Sequence, residues 1–397
     1  MKRNQVNAIE RGEIFTPLHI VTEMLDNIPN EVWRQPHYKW LEPSCGKGIF
    51  IDEIYKRLIV YHSEDHIFTN MLYACEIWKP NVIATKQKFD KLNLYVGNTL
   101  EMSWDFKFDV VIGNPPFNQG GIRSWNGKHH GEENKTIWFP FVEKAFEWLN
   151  PNGLLVFITP ASWLCKINKY HLYFCEKQIE WLKILGSQES NKIMKAAIPI
   201  TLFIIQNKKN GDKTRIGQDT ILLDPNESIP FGSFTIFNKL RNFIKKHNCP
   251  LEVETKLIWE AIGDKTPLPC DYCLEDKWAV DTITKKEGIL VKKVETIHKD
   301  GDKRKLIIAN KLSLYGAFID NGKLSLCGKN KFYILGDNLE LILKILNFKV
   351  MDMLVTNTKY NQSYINKEVF EFIPDIRKLG ITDITEEEFY KLVRINF

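Results

Sequence analysis

The chain has 397 residues, of which 44% are hydrophobic and 26% charged, and a formal net charge of +5. Two folded domains are expected at this length, and the composition excludes a disordered chain. No apolar run approaches the roughly 20 residues that span a bilayer, and residues 1–12 lack the apolar core of a secretory signal, so a cytoplasmic protein with no membrane partner is expected. The eight cysteines lie scattered among apolar neighbours and read as reduced thiols, not as a disulfide framework.

Residues 40–43, 71–76, 94–96, 108–113 and 154–159 are apolar runs of strand length, each followed by a loop rich in Gly, Pro or Asn. Residues 48–60 and 137–149 carry apolar side chains at helical spacing. Strands apolar on both faces, separated by helices, predict a parallel sheet covered on both sides up to about residue 206. The polar, basic stretch 207–213 breaks this alternation. It sets the expected boundary between a domain of residues 1–210 and one of residues 211–397, in which the order of elements is hard to read.

Ligands of such sheets bind outside the carboxyl ends of the strands. After the first strand comes Glu42-Pro43-Ser44-Cys45-Gly46-Lys47-Gly48, whose glycines permit a tight turn into a helix N-terminus suited to a polar ligand. The second strand ends at Glu76, either a ribose-binding acid or a plain exposed carboxylate. The fourth delivers Asn114-Pro115-Pro116-Phe117. The Asn114 side-chain oxygen and the Pro115 carbonyl can each accept one hydrogen of a planar amino group, and Phe117 can stack on the ring that carries it.

These motifs, together with Phe15-Thr16-Pro17 before them and residues 151–160 after them, resemble the adenine-specific (N6-adenine) DNA methyltransferases of restriction-modification systems. The order is that of the group with the cofactor motif first and the target-recognition region last. The resemblance covers residues 12–206. It implies an α/β Rossmann-like S-adenosylmethionine-dependent methyltransferase domain, with a mixed, mostly parallel sheet, followed by a C-terminal α+β target-recognition domain. It implies Asn114, Pro115, Pro116 and Phe117 as the catalytic set. S-adenosyl-L-methionine would be held by Phe15, Thr16, Pro17, Glu42, Pro43, Ser44, Cys45, Gly46, Glu76, Ile77, Asn98, Thr99 and Asn114. Asn98 stands where the family usually has Asp, and Ile193 and Met194 stand where a second aromatic face for the flipped base is usual.

The implied partners are double-stranded DNA and a separate restriction endonuclease. Arg123, Lys128 and Lys135, in the loop after the catalytic motif, are candidate phosphate contacts, although a plain polar loop is an equal reading. Lys303 and Arg304, in a basic run of the C-terminal half, are further candidates. His247, Cys249, Cys270 and Cys273 have a ligand count that would suit zinc, but their spacing is unusual and no metal is expected. Two rivals stay open: an RNA-base or protein-glutamine methyltransferase sharing the catalytic motif, and a non-catalytic DNA-binding specificity subunit.

Overall fold

The computed structural model describes residues 15–118, 136–255, 261–284, 288–309, 314–327, 331–360 and 365–397. Its chain divides into two units between Ile229 and Pro230. In the first, helix α1 (Leu18–Asp26) precedes β1 (Trp40–Glu42), α2 (Ile49–Leu58), β2 (Leu72–Glu76), α3 (Lys79–Lys88), β3 (Asn93–Val96) and β4 (Phe108–Gly113). There follow α4 (Trp138–Trp148), β5 (Leu149–Pro160), β6 (Lys177–Leu185), α5 (Ser187–Met194), β7 (Ile200–Lys209), β8 (Thr214–Ile216) and β9 (Asp219–Ile221).

These strands form one sheet in the order β3-β2-β1-β4-β5-β7-β6-β8-β9. The run from β3 to β5 is parallel, and β7 lies antiparallel between β5 and β6. This is a mixed, mostly parallel Rossmann-like sheet. Burial explains it: every residue of β1 and β2 is buried, as are the first six of β7, which only a sheet covered on both faces allows. Helix α2 buries Phe50, Ile51, Ile54 and Leu58, the 3.6-residue stripe of a helix laid on that sheet.

The boundary expected after residue 210 falls instead between Ile229 and Pro230. The basic stretch is the end of β7 and the bend that follows it, inside the first unit. The buried Gln178 side-chain oxygen accepts the Gly211 and Asp212 N–H groups at 3.2 and 2.8 Å, which returns the chain so that β8 pairs with β6. Farther on, the Ile229 N–H donates to the Leu164 carbonyl at 2.8 Å. Short-range polarity marked a surface turn, while the buried acceptor that holds it lies more than thirty residues earlier.

The second unit, Pro230–Phe397, is α+β. It comprises α6 (Phe234–His247), β10 (Ala261–Pro267), β11 (Trp278–Thr284), β12 (Gly288–Val294), β13 (Arg304–Ala309), β14 (Phe318–Asn321), β15 (Ser325–Leu326), β16 (Lys331–Leu335), α7 (Leu339–Leu346), α8 (Lys349–Asn357) and α9 (Glu386–Val393). One sheet runs β10-β12-β11-β15 and another β14-β13-β16. A large apolar cluster joins Leu306 and Ile308 of β13 to Phe237 of α6, Ile342 of α7 and Leu354 of α8. A capping box of Thr385 and Glu388 starts α9.

An ion pair with no solvent exposure on either side joins β13 to β14, where Lys305 and Asp320 stand opposite each other. Lys305 Nζ donates to Asp320 Oδ2 at 2.6 Å and to the Gly301 carbonyl at 2.7 Å. Asp320 also accepts the N–H groups of Gly322, Lys323 and Leu324. Burial depresses the Lys305 pKa and the Asp320 charge acts against that shift. Removing one partner of a buried pair costs about 3–5 kcal/mol. Asp320→Ala, which leaves the buried ammonium without a counter-charge and with only the Gly301 and Lys303 carbonyls, is expected to lose stability in this range in urea unfolding. Lys305→Met leaves Asp320 its three backbone donors and should lose clearly less; the reverse ranking would contradict this account.

Candidate functional site

The loop after β1 is fixed from several sides. Gly46 and Gly48 have φ of 55° and 75°, left-handed values that favour glycine. The Cys45 N–H donates to the Cys75 carbonyl at 2.9 Å, tying the loop to β2. Glu76, 7% exposed, accepts the Gly46 N–H at 2.8 Å through Oε2 and the Trp78 N–H at 2.7 Å through Oε1. The Thr99 hydroxyl donates to the Pro43 carbonyl at 2.6 Å, and the Thr85 hydroxyl to the Gly46 carbonyl at 3.0 Å.

Glu42 ends β1 and Ser44 lies two residues on, in the loop after it. Both Oε2 of Glu42 and Oγ of Ser44 are buried and, among the described residues, have no hydrogen-bond partner. Such atoms are costly to bury unpaired, so a site that gathers them is suited to a polar ligand. Burial, and next the neighbouring Glu76 charge, push the Glu42 carboxyl well above its ordinary range, while the Ile51 N–H acts in the opposite direction.

Asn114 follows the end of β4. Its Nδ2 donates to Thr16 Oγ1 at 3.1 Å, joining two motifs 98 residues apart. Thr16 is buried, Pro17 caps α1, and the Lys47 ammonium lies 5.8 Å from the half-exposed Phe15 ring. The Phe15–Pro17 segment thus touches the loop after β1 through Lys47 and the loop after β4 through Asn114. Pro115 and Phe117 are buried, and the Phe117 carbonyl accepts the Ile137 N–H at 3.1 Å.

Other expected residues lie differently. Thr99 is buried and turned to the Pro43 carbonyl, so it shapes the loop from behind. Asn98 spends its amide locally: Oδ1 accepts the Leu100 N–H at 3.2 Å and Nδ2 donates to Glu101 at 2.6 Å. Ile77 is 67% exposed beside the buried Glu76. At the position of the usual second aromatic, Met194 is buried in the core and Ile193 is half-buried. Thr85, in the middle of α3, was not singled out in the sequence, because a lone threonine on a helix carries no motif.

Arg123, Lys128 and Lys135 lie outside the described residues. Lys303 and Arg304 are exposed, but each already has a carboxylate: Lys303 reaches Asp300 at 2.6 Å and Arg304 pairs with Glu340. With Lys305 bound to Asp320, the basic run is locally neutralised, which weakens it as a phosphate surface. Cys249 is buried while Cys270 and Cys273 are exposed, and no group of three or more metal-ligating side chains is disposed around one point among the described residues. No described helix is long and apolar enough to cross a membrane.

Comparison with known proteins places this site in context. Residues 50–191 match the Eco57I restriction-modification methylase family. The resemblance drawn from the motifs therefore holds. The chain is 29% identical to the modification methylase CviBIII of Paramecium bursaria Chlorella virus NC1A over 157 residues, which are 38% of each protein. It is 25% identical to an uncharacterized adenine-specific methylase of Mycoplasma pneumoniae, over 43% of this chain and 60% of that one. The chain thus spans 38% and 60% of the length of these relatives. Among solved structures, the type I restriction enzyme EcoKI M protein aligns with a TM-score of 0.38 at 14% identity, covering 51% of this chain and 47% of that one.

The raised Glu42 pKa carries a pH signature. A carboxyl whose pKa is higher folded than unfolded stabilises fully below its ordinary value of 4.5 and loses that contribution as pH rises through the folded value. Between about pH 5 and pH 8, the ligand-free protein should lose more thermal stability than Glu42→Gln, which has no proton to release. Parallel melting curves for the two proteins across that range would exclude a raised Glu42.

Proposed function

We propose that this chain is a site-specific DNA methyltransferase that transfers a methyl group from S-adenosyl-L-methionine to the N6 amino group of a flipped-out adenine. The observation that carries the reading is the Asn114–Thr16 hydrogen bond at 3.1 Å, which puts the amino-binding motif against the segment packed on the loop after β1. The family match over residues 50–191 supports the same reading and favours a modification enzyme of a restriction-modification system. Double-stranded DNA is the proposed substrate, and a separate restriction endonuclease the proposed counterpart.

The residues present fit the cofactor. Glu42 Oε2 and Ser44 Oγ are buried acceptors suited to its polar groups. Glu76, at the end of β2, would receive the ribose, and the Phe15–Pro17 segment would close over the methionine end. When bound, S-adenosyl-L-methionine supplies an electrophilic methyl group on a sulfonium.

The chain itself positions the acceptor. With its Nδ2 engaged by Thr16, the Asn114 amide is held in one orientation, its oxygen turned to the opposite side. That oxygen and the Pro115 carbonyl would accept the two hydrogens of the adenine amine, drawing the nitrogen lone pair out of ring conjugation. Two successive prolines stiffen the turn that presents these acceptors. The Phe117 ring, buried in this structure, would offer a stacking face once uncovered by the entering base, offsetting part of the few kcal/mol lost on unstacking it. The amine becomes acidic only as it is alkylated, so no charged base is needed beforehand. Arg123, Lys128 and Lys135, directly after this motif in the sequence, are proposed phosphate contacts.

Labelled methyl transfer to unmethylated duplex DNA, followed by digestion to nucleosides, tests the reading. Label is expected in N6-methyladenine and should fall by about 100-fold or more in Asn114→Ala, the scale of losing one preorganised polar contact to a reacting group. Label appearing instead in RNA or protein acceptors would sink the DNA assignment. Failure of the wild-type protein to bind S-adenosyl-L-methionine in calorimetry would overturn the whole reading.

A further inference from the structure

Gly46 is held at both of its backbone polar groups by the β2–α3 segment. Its N–H is taken by Glu76 and its carbonyl by Thr85, a side chain with no solvent exposure. Thr85 also sits against the second glycine of the turn: a Cβ placed on Gly48 would lie 3.4 Å from the Thr85 methyl and 3.6 Å from its hydroxyl. One buried threonine therefore backs both left-handed positions of the loop. The two contacts differ in kind, since the methyl fills space and the hydroxyl satisfies a carbonyl.

We propose that Thr85 is a positioning residue for S-adenosyl-L-methionine, acting through the Gly46 carbonyl to hold residues 43–48 in the conformation that binds the cofactor. This rests on the reading of that loop as the cofactor site. Thr85 is buried behind the loop and acts from there. Without that hydroxyl, the carbonyl of half-buried Gly46 keeps only the weak Cys45 thiol donor at 3.8 Å, and rotating that peptide toward another partner turns the Lys47 N–H with it. The loop then has to be reordered when the cofactor binds, so affinity falls while the acceptor geometry at Asn114 stays as it was.

The test compares full-length wild type with Thr85→Val, which keeps the shape and loses the hydroxyl, and Thr85→Ser, which keeps the hydroxyl and loses the methyl. Affinity for S-adenosyl-L-methionine is read by calorimetry, and KM and kcat by methyl transfer. Thr85→Val should weaken cofactor binding and raise its KM by about 3- to 10-fold, with kcat at saturation within about twofold of wild type, the scale of one hydrogen bond. Thr85→Ser should bind as wild type does. Unchanged affinity in Thr85→Val, or equal weakening in the Val and Ser variants, would overturn the proposal. If Thr85→Val does not fold, Thr85→Ala against Thr85→Ser makes the same comparison without adding atoms. A wild type that fails to bind sinks the function proposed above and this inference with it, whereas a binding wild type beside an unaffected Thr85→Val sinks this inference alone.

Discussion

The carboxylate of Glu76 is the pin on which the first unit's strand ends depend. One oxygen holds the Gly46 N–H of the loop after β1, and the other holds the Trp78 N–H at the exit of β2. Hydrogen bonds to an ionised acceptor are roughly twice as strong as neutral ones, which offsets the cost of placing a carboxylate in a nearly closed site. Its neighbour Glu42 bears the electrostatic consequence: buried beside that charge, it is pushed toward its neutral form. Two acids, each the last residue of one of two paired strands, thus take different roles because of what surrounds each.

Much of the first unit was legible because its strands are buried on both faces and its loops carry unusual residues. The strand expected at residues 108–113 is β4, Phe108–Gly113, and the helix expected at residues 137–149 is α4, Trp138–Trp148. The motif order Phe15, Glu42, Glu76, Asn114 is legible because Glu42 and Asn114 adjoin prolines, Phe15 lies two residues before one, and Glu76 ends an apolar run of strand length. What was not legible was depth and partner. The bond from the Thr99 hydroxyl to the Pro43 carbonyl leaves no trace in the sequence, and Thr85 carries no motif although it holds Gly46. A hydrogen bond between residues 39 positions apart leaves no local pattern.

The second unit resisted reading for a different reason. Its strands belong to two small sheets, and β10 is exposed along nearly its whole length, so neither a clean alternation nor a long apolar run appears. Its basic run shows how charge misleads in one dimension. Lys303, Arg304 and Lys305 are consecutive, yet one meets Asp300, the next Glu340 and the third, fully buried, Asp320. Only the fold reveals that these acids lie opposite. A cluster of one sign in the sequence is a surface potential only when the other sign is far away in space.

The bond between Asn114 and Thr16 has a consequence for timing. Its partners are separated by 98 residues, and the strands β1, β2, β3 and β4 all lie between them. A contact of such long sequence separation closes late, after the loops it spans have been ordered. On a ribosome, Phe15-Thr16-Pro17 is made early but must wait until the sheet's fourth strand has emerged before it has anything to hold. Thr16 is therefore ordered only once β4 is in place, and the Asn114 side chain acquires its final orientation only at that moment.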